Sequence, residues 1–185
     1  VPPRYDDAVP HGLVVLLHPQ GGFADRAIVD RWRERCRRAN LLLLVPKAAA
    51  EQWAPPDLAF IKKAIDRTAE SYRVDAARVA AVGYEEGGIV ALRAAASLRE
   101  RIRGVAGVNF VPSGFNAENE PQFPTSFFFA AAREFGQAAR AKAAIEQLRG
   151  LHFPVVEREL PKDADDWTDA ASNELLRWLA ALDRI

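Results

Sequence analysis

Two short stretches carry residue types and spacings on which group-transfer chemistry is built. The first is Gly83-Tyr84-Glu85-Glu86-Gly87-Gly88. Glycines on both sides of a tight turn signal steric demand: the flanking positions must be small so that the central residue can project from a strained elbow. The residue projected here is Glu85, a carboxylate. The second stretch is His18-Pro19-Gln20-Gly21-Gly22. Gly21 and Gly22 could present backbone N–H groups to an oxyanion or another anion, and turn geometry alone would equally demand them. Three roles are open to Glu85: a solvated side chain at a loop tip, a contact in a ligand pocket, or a nucleophile or base partnered by His18. A carboxylate just ahead of a helix is favoured by the helix dipole and the free N–H groups by about 0.3–1 kcal/mol, which also accounts for Glu86.

Any mechanism with a histidine base must draw on His11, His18 or His152, since the chain has three histidines. His11 and His152 flank strand-like runs and are expected to be exposed. Asp163, Asp165 and Asp166 place oxygen ligands close together, but the stretch lacks the Gly and distal Glu of a calcium loop. An acidic first turn ahead of a helix accounts for them better. The single cysteine, Cys36, excludes an internal disulfide framework and a Cys-rich zinc site. It falls on the inner face of a helix and reads as an inert core residue. No cofactor or metal is expected.

The elements that position these residues are legible as apolar runs and stripes. Leu13–His18 is a short, continuously apolar run between Pro10-x-Gly12 and Pro19-x-Gly21-Gly22, the pattern of a fully buried strand. Leu41–Val45, Arg78–Gly83, Val105–Val111 and Thr125–Ala131 broadly repeat it, and Phe153–Leu160 reads as a sixth strand. Between them lie helical stripes. One runs over residues 24–39 through Ile28, Trp32 and Cys36, its arginines forming a solvated outer face. One opens at Pro55-Pro56-Asp57 and runs through Leu58, Ile61 and Ile65. One spans Gly87 to Leu98, apolar nearly all round. The last two cover residues 136–149 and Trp167–Leu182. Pro112 to Pro121 is rich in turn residues and reads as a loop. Strands without in–out alternation, separated by helices, predict an α/β three-layer sandwich. Its mostly parallel six-stranded sheet carries helices on both faces.

The 185 residues suit one domain, 1–185, with a core large enough to need no staples. The absence of Met and the opening Val1-Pro2-Pro3-Arg4 suggest a chain cut or processed from a longer protein. Lys+Arg and Asp+Glu are both 25, so there is no general attraction to nucleic acid or anionic lipid. No apolar run approaches the roughly 18 residues that would span a membrane.

The elbow also carries a family resemblance. Asp75-Ala76-Ala77-Arg78-Val79 followed by Gly83-x-Glu85-x-Gly87-Gly88 resembles the nucleophile-elbow region of α/β-hydrolases, nearest to esterase, feruloyl-esterase and polyhydroxyalkanoate-depolymerase-like members. There a similar phrase ends in Gly-x-Ser-x-Gly-Gly. His18-Pro19-Gln20-Gly21-Gly22 resembles the family's His-Gly oxyanion loop, in which the histidine is structural. The order of elements matches over residues 13–184. The resemblance implies strands Leu13–His18 and Arg78–Gly83 as central neighbours, with Leu41–Val45 and Phe153–Leu160 at the edges. It leans towards a secreted or periplasmic setting.

The departures concern the catalytic set. Glu85 stands where the family has its serine. In the region of the family's acid only Glu134 could substitute, and Asp165 falls near the histidine position. Acyl transfer needs nucleophile, base and acid together. The expectation is therefore a degenerate hydrolase domain with no catalytic residues, Glu85, Glu134 and Asp165 marking the lost positions. Such a domain would serve as a binding or structural module for other domains, a protein partner or a small molecule. Its residual pocket would be formed by His18, Gln20, Gly21, Gly22, Tyr84, Glu85 and Glu86. The competing reading is an active ester hydrolase with an atypical set around Glu85 and His18.

Overall fold

Leu13-Val14-Val15-Leu16-Leu17 is apolar on both faces because both faces are covered. Leu13, Val15 and Leu17 join one core, with Ile61, Ile65, Val90, Ile145 and Leu148. Val14 and Leu16 join another, with Trp32, Cys36, Ala171, Leu175 and Leu179. Burying one such side chain contributes about 1.5–3 kcal/mol, which is why the run tolerates no polar alternation. The structure, a computed structural model, describes residues 5–21, 25–115, 117–162, 164 and 167–184. Gly22, Asp163, Asp165, Asp166 and the side chain of Ile28 lie outside the described residues.

The strands are β1 (His11–Leu17), β2 (Leu41–Leu44), β3 (Val74–Tyr84), β4 (Gly104–Val108), β5 (Ser126–Ala132) and β6 (Val155–Leu160). They form one sheet in the order β2-β1-β3-β4-β5-β6. Every neighbouring pair is parallel. Among the described residues, five α-helices cover it: α1 (Asp25–Ala39), α2 (Pro55–Ser71), α3 (Glu86–Ser97), α4 (Ala138–Gly150) and α5 (Asp169–Ala180). Helices α2, α3 and α4 pack on one face and α1 and α5 on the other. This is the expected three-layer arrangement, with β1 and β3 adjacent inside the sheet and β2 and β6 at the edges. Because all strands run the same way, the turns after β1, β3, β4, β5 and β6 gather at one end of the sheet.

Several expected boundaries move, three of them for a reason visible in the structure. β3 begins at Val74 rather than Arg78, because Val74 pairs with His11 before a register shift carries the pairing to Val79. β4 stops at Val108 rather than Val111, because Asn109 takes φ 53° and turns the chain out of the sheet. α5 starts at Asp169, after the N-cap Thr168, whose side chain accepts from the Ala171 N–H. Trp167 therefore precedes the helix and is buried beside it.

Candidate functional site

The turn from β3 to α3 is built by close approach. A Cβ on Gly83 would stand 2.2 Å from the carbonyl of Gly87 and 2.4 Å from the nitrogen of Gly88. One on Gly87 would stand 2.2 Å from the Leu17 carbonyl oxygen and 2.7 Å from that of His18. No side chain fits at either position. The glycines thus let the start of α3 lie against both its own strand and the carboxyl end of β1. Between them Glu85 takes φ 48° and ψ −113°, a left-handed conformation that is strained for any residue with a Cβ. Its N–H donates to the Val108 carbonyl at 2.9 Å, and its carbonyl accepts from the Gly88 N–H at 3.0 Å. The Glu85 side chain is exposed and Glu86, the first residue of α3, is half-buried. Tyr84 is buried in the core beneath α1 and α5.

His18 follows the last residue of β1 and is buried. Its Nε2 accepts from the Ala48 N–H at 3.1 Å, which assigns the proton to Nδ1, and Nδ1 donates to the Pro19 carbonyl at 2.7 Å. The Trp53 indole N–H donates to the His18 carbonyl at 2.9 Å, and the two rings lie 4.6 Å apart. Both imidazole nitrogens are committed to backbone. His18 therefore braces the loop after β2 against the end of β1 and has no lone pair to offer a reactant. Gln20 and Gly21 are exposed, and the Gly21 N–H donates to the Glu51 carbonyl at 3.2 Å.

Glu134 follows β5 and is exposed, paired with Lys162 at 2.9 Å. Asp165 lies outside the described residues. His11 corrects an expectation: it is 2 % exposed, not solvated. The Tyr5 ring covers it at a centroid distance of 4.9 Å, an arrangement that the short run of residues before β1 did not announce. His152 is exposed. Cys36 is buried, and burial pushes its thiol up to about 12, so it carries no thiolate near neutral pH. Among the described residues, no group of three His, Cys, Asp or Glu side chains could hold a metal ion. Nor is any helix long and apolar enough to cross a membrane.

Two polar residues in structural roles escaped the sequence reading. Asn109 donates from Nδ2 to the Ala164 carbonyl at 2.8 Å, and its Oδ1 accepts from the Ala132 N–H at 2.8 Å. Its own N–H donates to Ala130 at 3.0 Å. One side chain thus ties together the ends of β4, β5 and the loop after β6. Its signal was an amide inside the apolar run Val108-Asn109-Phe110-Val111. Asp57 is buried in the first turn of α2, where its carboxylate accepts from the Ala54 N–H at 2.7 Å and the Ala49 N–H at 3.3 Å.

The sheet order, the helix layers and a strained elbow after the central strand define the α/β-hydrolase fold, and the chain has it. A Rhizomucor miehei esterase superposes with a TM-score of 0.76 at 12% identity, over 99% of this chain and 78% of that one. An S-formylglutathione hydrolase from Agrobacterium tumefaciens gives 0.71 at 14%, over 97% and 87%. A ferulic acid esterase from Anaeromyces mucronatus gives 0.66 at 15%, over 99% and 83%. In sequence, the presumed esterase NocK of Nocardia uniformis subsp. tsuyamanensis is 32% identical over 118 residues, which cover 55% of this chain and 34% of that protein. The chain thus matches about a third of the length of that relative. No family model matches. The fold is esterase-like.

Proposed function

We propose that this chain is a catalytically degenerate α/β-hydrolase-fold domain, serving as a binding or structural module of a larger protein. One observation supports the reading above the others: no histidine of the chain is placed to act as a base at the elbow. His18 spends both ring nitrogens on backbone. His11 opens β1 and His152 precedes β6, so both stand at the amino end of a parallel sheet whose elbow is at the carboxyl end. A carboxylate at the elbow without a histidine as its proton acceptor lacks the cooperating set on which acyl transfer depends.

The test is hydrolysis of short p-nitrophenyl esters. The unmodified protein gives no rate above a control protein. Glu85→Ser alone gives none either, since the new hydroxyl finds no base. Only Glu85→Ser combined with Asp165→His could give weak turnover, and only if the imidazole comes within about 2.6–3.2 Å of the hydroxyl, directly or through one water. A substantial rate from the unmodified protein, abolished by Glu85→Ala, would overturn this reading and establish an atypical hydrolase around Glu85.

A further inference from the structure

A second feature at the carboxyl end of the sheet stands apart from the elbow: a cleft of about 130 Å³ between α4 and the ends of β5 and β6. Its apolar surface comes from Phe110, Phe129, Ala138, Ala141 and Ile145. Phe110 and Phe129 meet edge to face at 5.4 Å. The Phe110 ring also abuts Gly88, so it separates the cleft from the first turn of α3. The room exists because α4 presents alanines, not larger residues, at 138 and 141. A cavity of about 150 Å³ with apolar walls holds one benzene ring, so this cleft is sized for a single ring or a branched chain of similar bulk.

The charges around it select the ligand further. Arg133 pairs with Glu159 at 3.0 Å, Arg149 with Glu157 at 3.3 Å, and Arg158 with Glu174. These pairs neutralise both lining carboxylates. Lys142, exposed on α4, also lines the cleft, and no carboxylate pairs with it among the described residues. A ring-sized apolar floor under an uncompensated ammonium matches a compact amphipathic anion. We propose that this cleft binds a small monocarboxylate with an apolar body of one ring, the body on Phe110 and Phe129 and the carboxylate on Lys142. The proposal is independent of whether the elbow is catalytic.

The probe is benzoate, with benzamide as its uncharged isostere, titrated into the whole chain by calorimetry and by chemical-shift perturbation. Benzoate saturates in the millimolar range and shifts residues of α4 and β5, and benzamide binds more weakly. Lys142→Glu lowers benzoate affinity by at least about fivefold, the scale of a partly exposed charge pair, whereas Lys142→Arg retains it. Ala141→Leu fills the floor and weakens both probes; an unchanged thermal midpoint shows that the variant is folded. Glu85→Ala leaves benzoate binding unchanged, which separates this site from the elbow. Absence of saturable benzoate binding at tens of millimolar, equal affinity for benzamide, or full benzoate affinity in Lys142→Glu overturns the proposal.

Discussion

Glu85 holds φ 48° although nothing in a glutamate side chain asks for it. The conformation is imposed by its neighbours, because Gly83 and Gly87 must pack backbone to backbone. Such a conformation costs about 1–3 kcal/mol at a residue with a Cβ, and glycine adopts it freely. Glu85→Gly should therefore stabilise the fold by about 0.5–1 kcal/mol once glycine's larger unfolded-state entropy and the lost helix-terminus charge are subtracted. Urea unfolding reads this as a higher midpoint at constant slope, and a lower midpoint would mean that the carboxylate itself is stabilising. Asn109 behaves oppositely. Its left-handed backbone is tolerable for asparagine, and its amide satisfies two backbone groups. Asn109→Ala leaves the Ala132 N–H without its partner and puts alanine in the left-handed region, which costs about 2 kcal/mol or more in the same experiment. Neither role could be read from a residue type alone, since both depend on which strand ends the fold brings together.

At the scale of elements, the apolar runs and helical stripes mark the six strands and five α-helices of the described residues, most plainly where a strand covered on both faces has no charge to interrupt it; β6, at the sheet edge, carries Glu157, Arg158 and Glu159. What the runs could not show was pairing. The register shift that extends β3 back to Val74 is a property of β1 and β3 jointly, and Asp75 reads locally as a turn residue. The elbow was legible for the same reason that it is rigid: Gly83 and Gly87 leave a sequence trace of a steric constraint. That constraint can be tested against a neutral position. Gly87→Ala drives a methyl into the carbonyl oxygens of Leu17 and His18 and should cost more than about 3 kcal/mol or prevent folding. Gly136→Ala meets nothing within 4 Å and should change stability by less than about 0.5 kcal/mol. Comparable effects at the two positions, read by thermal unfolding, would show that the elbow is not held by close packing. The site's function was less legible than its backbone. The likeness to esterases resides in the turn and the layers, whereas the reaction depends on three side chains that the turn does not specify.

Over the whole molecule, the two edges of the sheet are treated differently. β6 ends in Glu157-Arg158-Glu159-Leu160, its three charged residues exposed and each paired across to Arg149, Glu174 or Arg133. Charges of this kind block the docking of a further strand, because a second backbone approaching the edge would have to desolvate them. β2 is Leu41-Leu42-Leu43-Leu44, followed by Val45, and has no charge along it. It pairs with β1 on one side and leaves the hydrogen-bonding groups of its other side without a strand partner among the described residues. The isolated chain should therefore associate through β2 rather than β6. Val45 is half-buried beside the strand, where a lysine can lay its stem along the apolar surface and keep its ammonium in water. Val45→Lys is expected to slow aggregation, followed by light scattering at matched fractions of folded protein, at a cost below about 1 kcal/mol in stability. Glu159→Leu, which removes one of the guards on β6, should accelerate it. If the two variants aggregate at the rate of the unmodified chain, association starts elsewhere than at the strand edges. The stability of the fold and its solubility would then rest on separate surfaces.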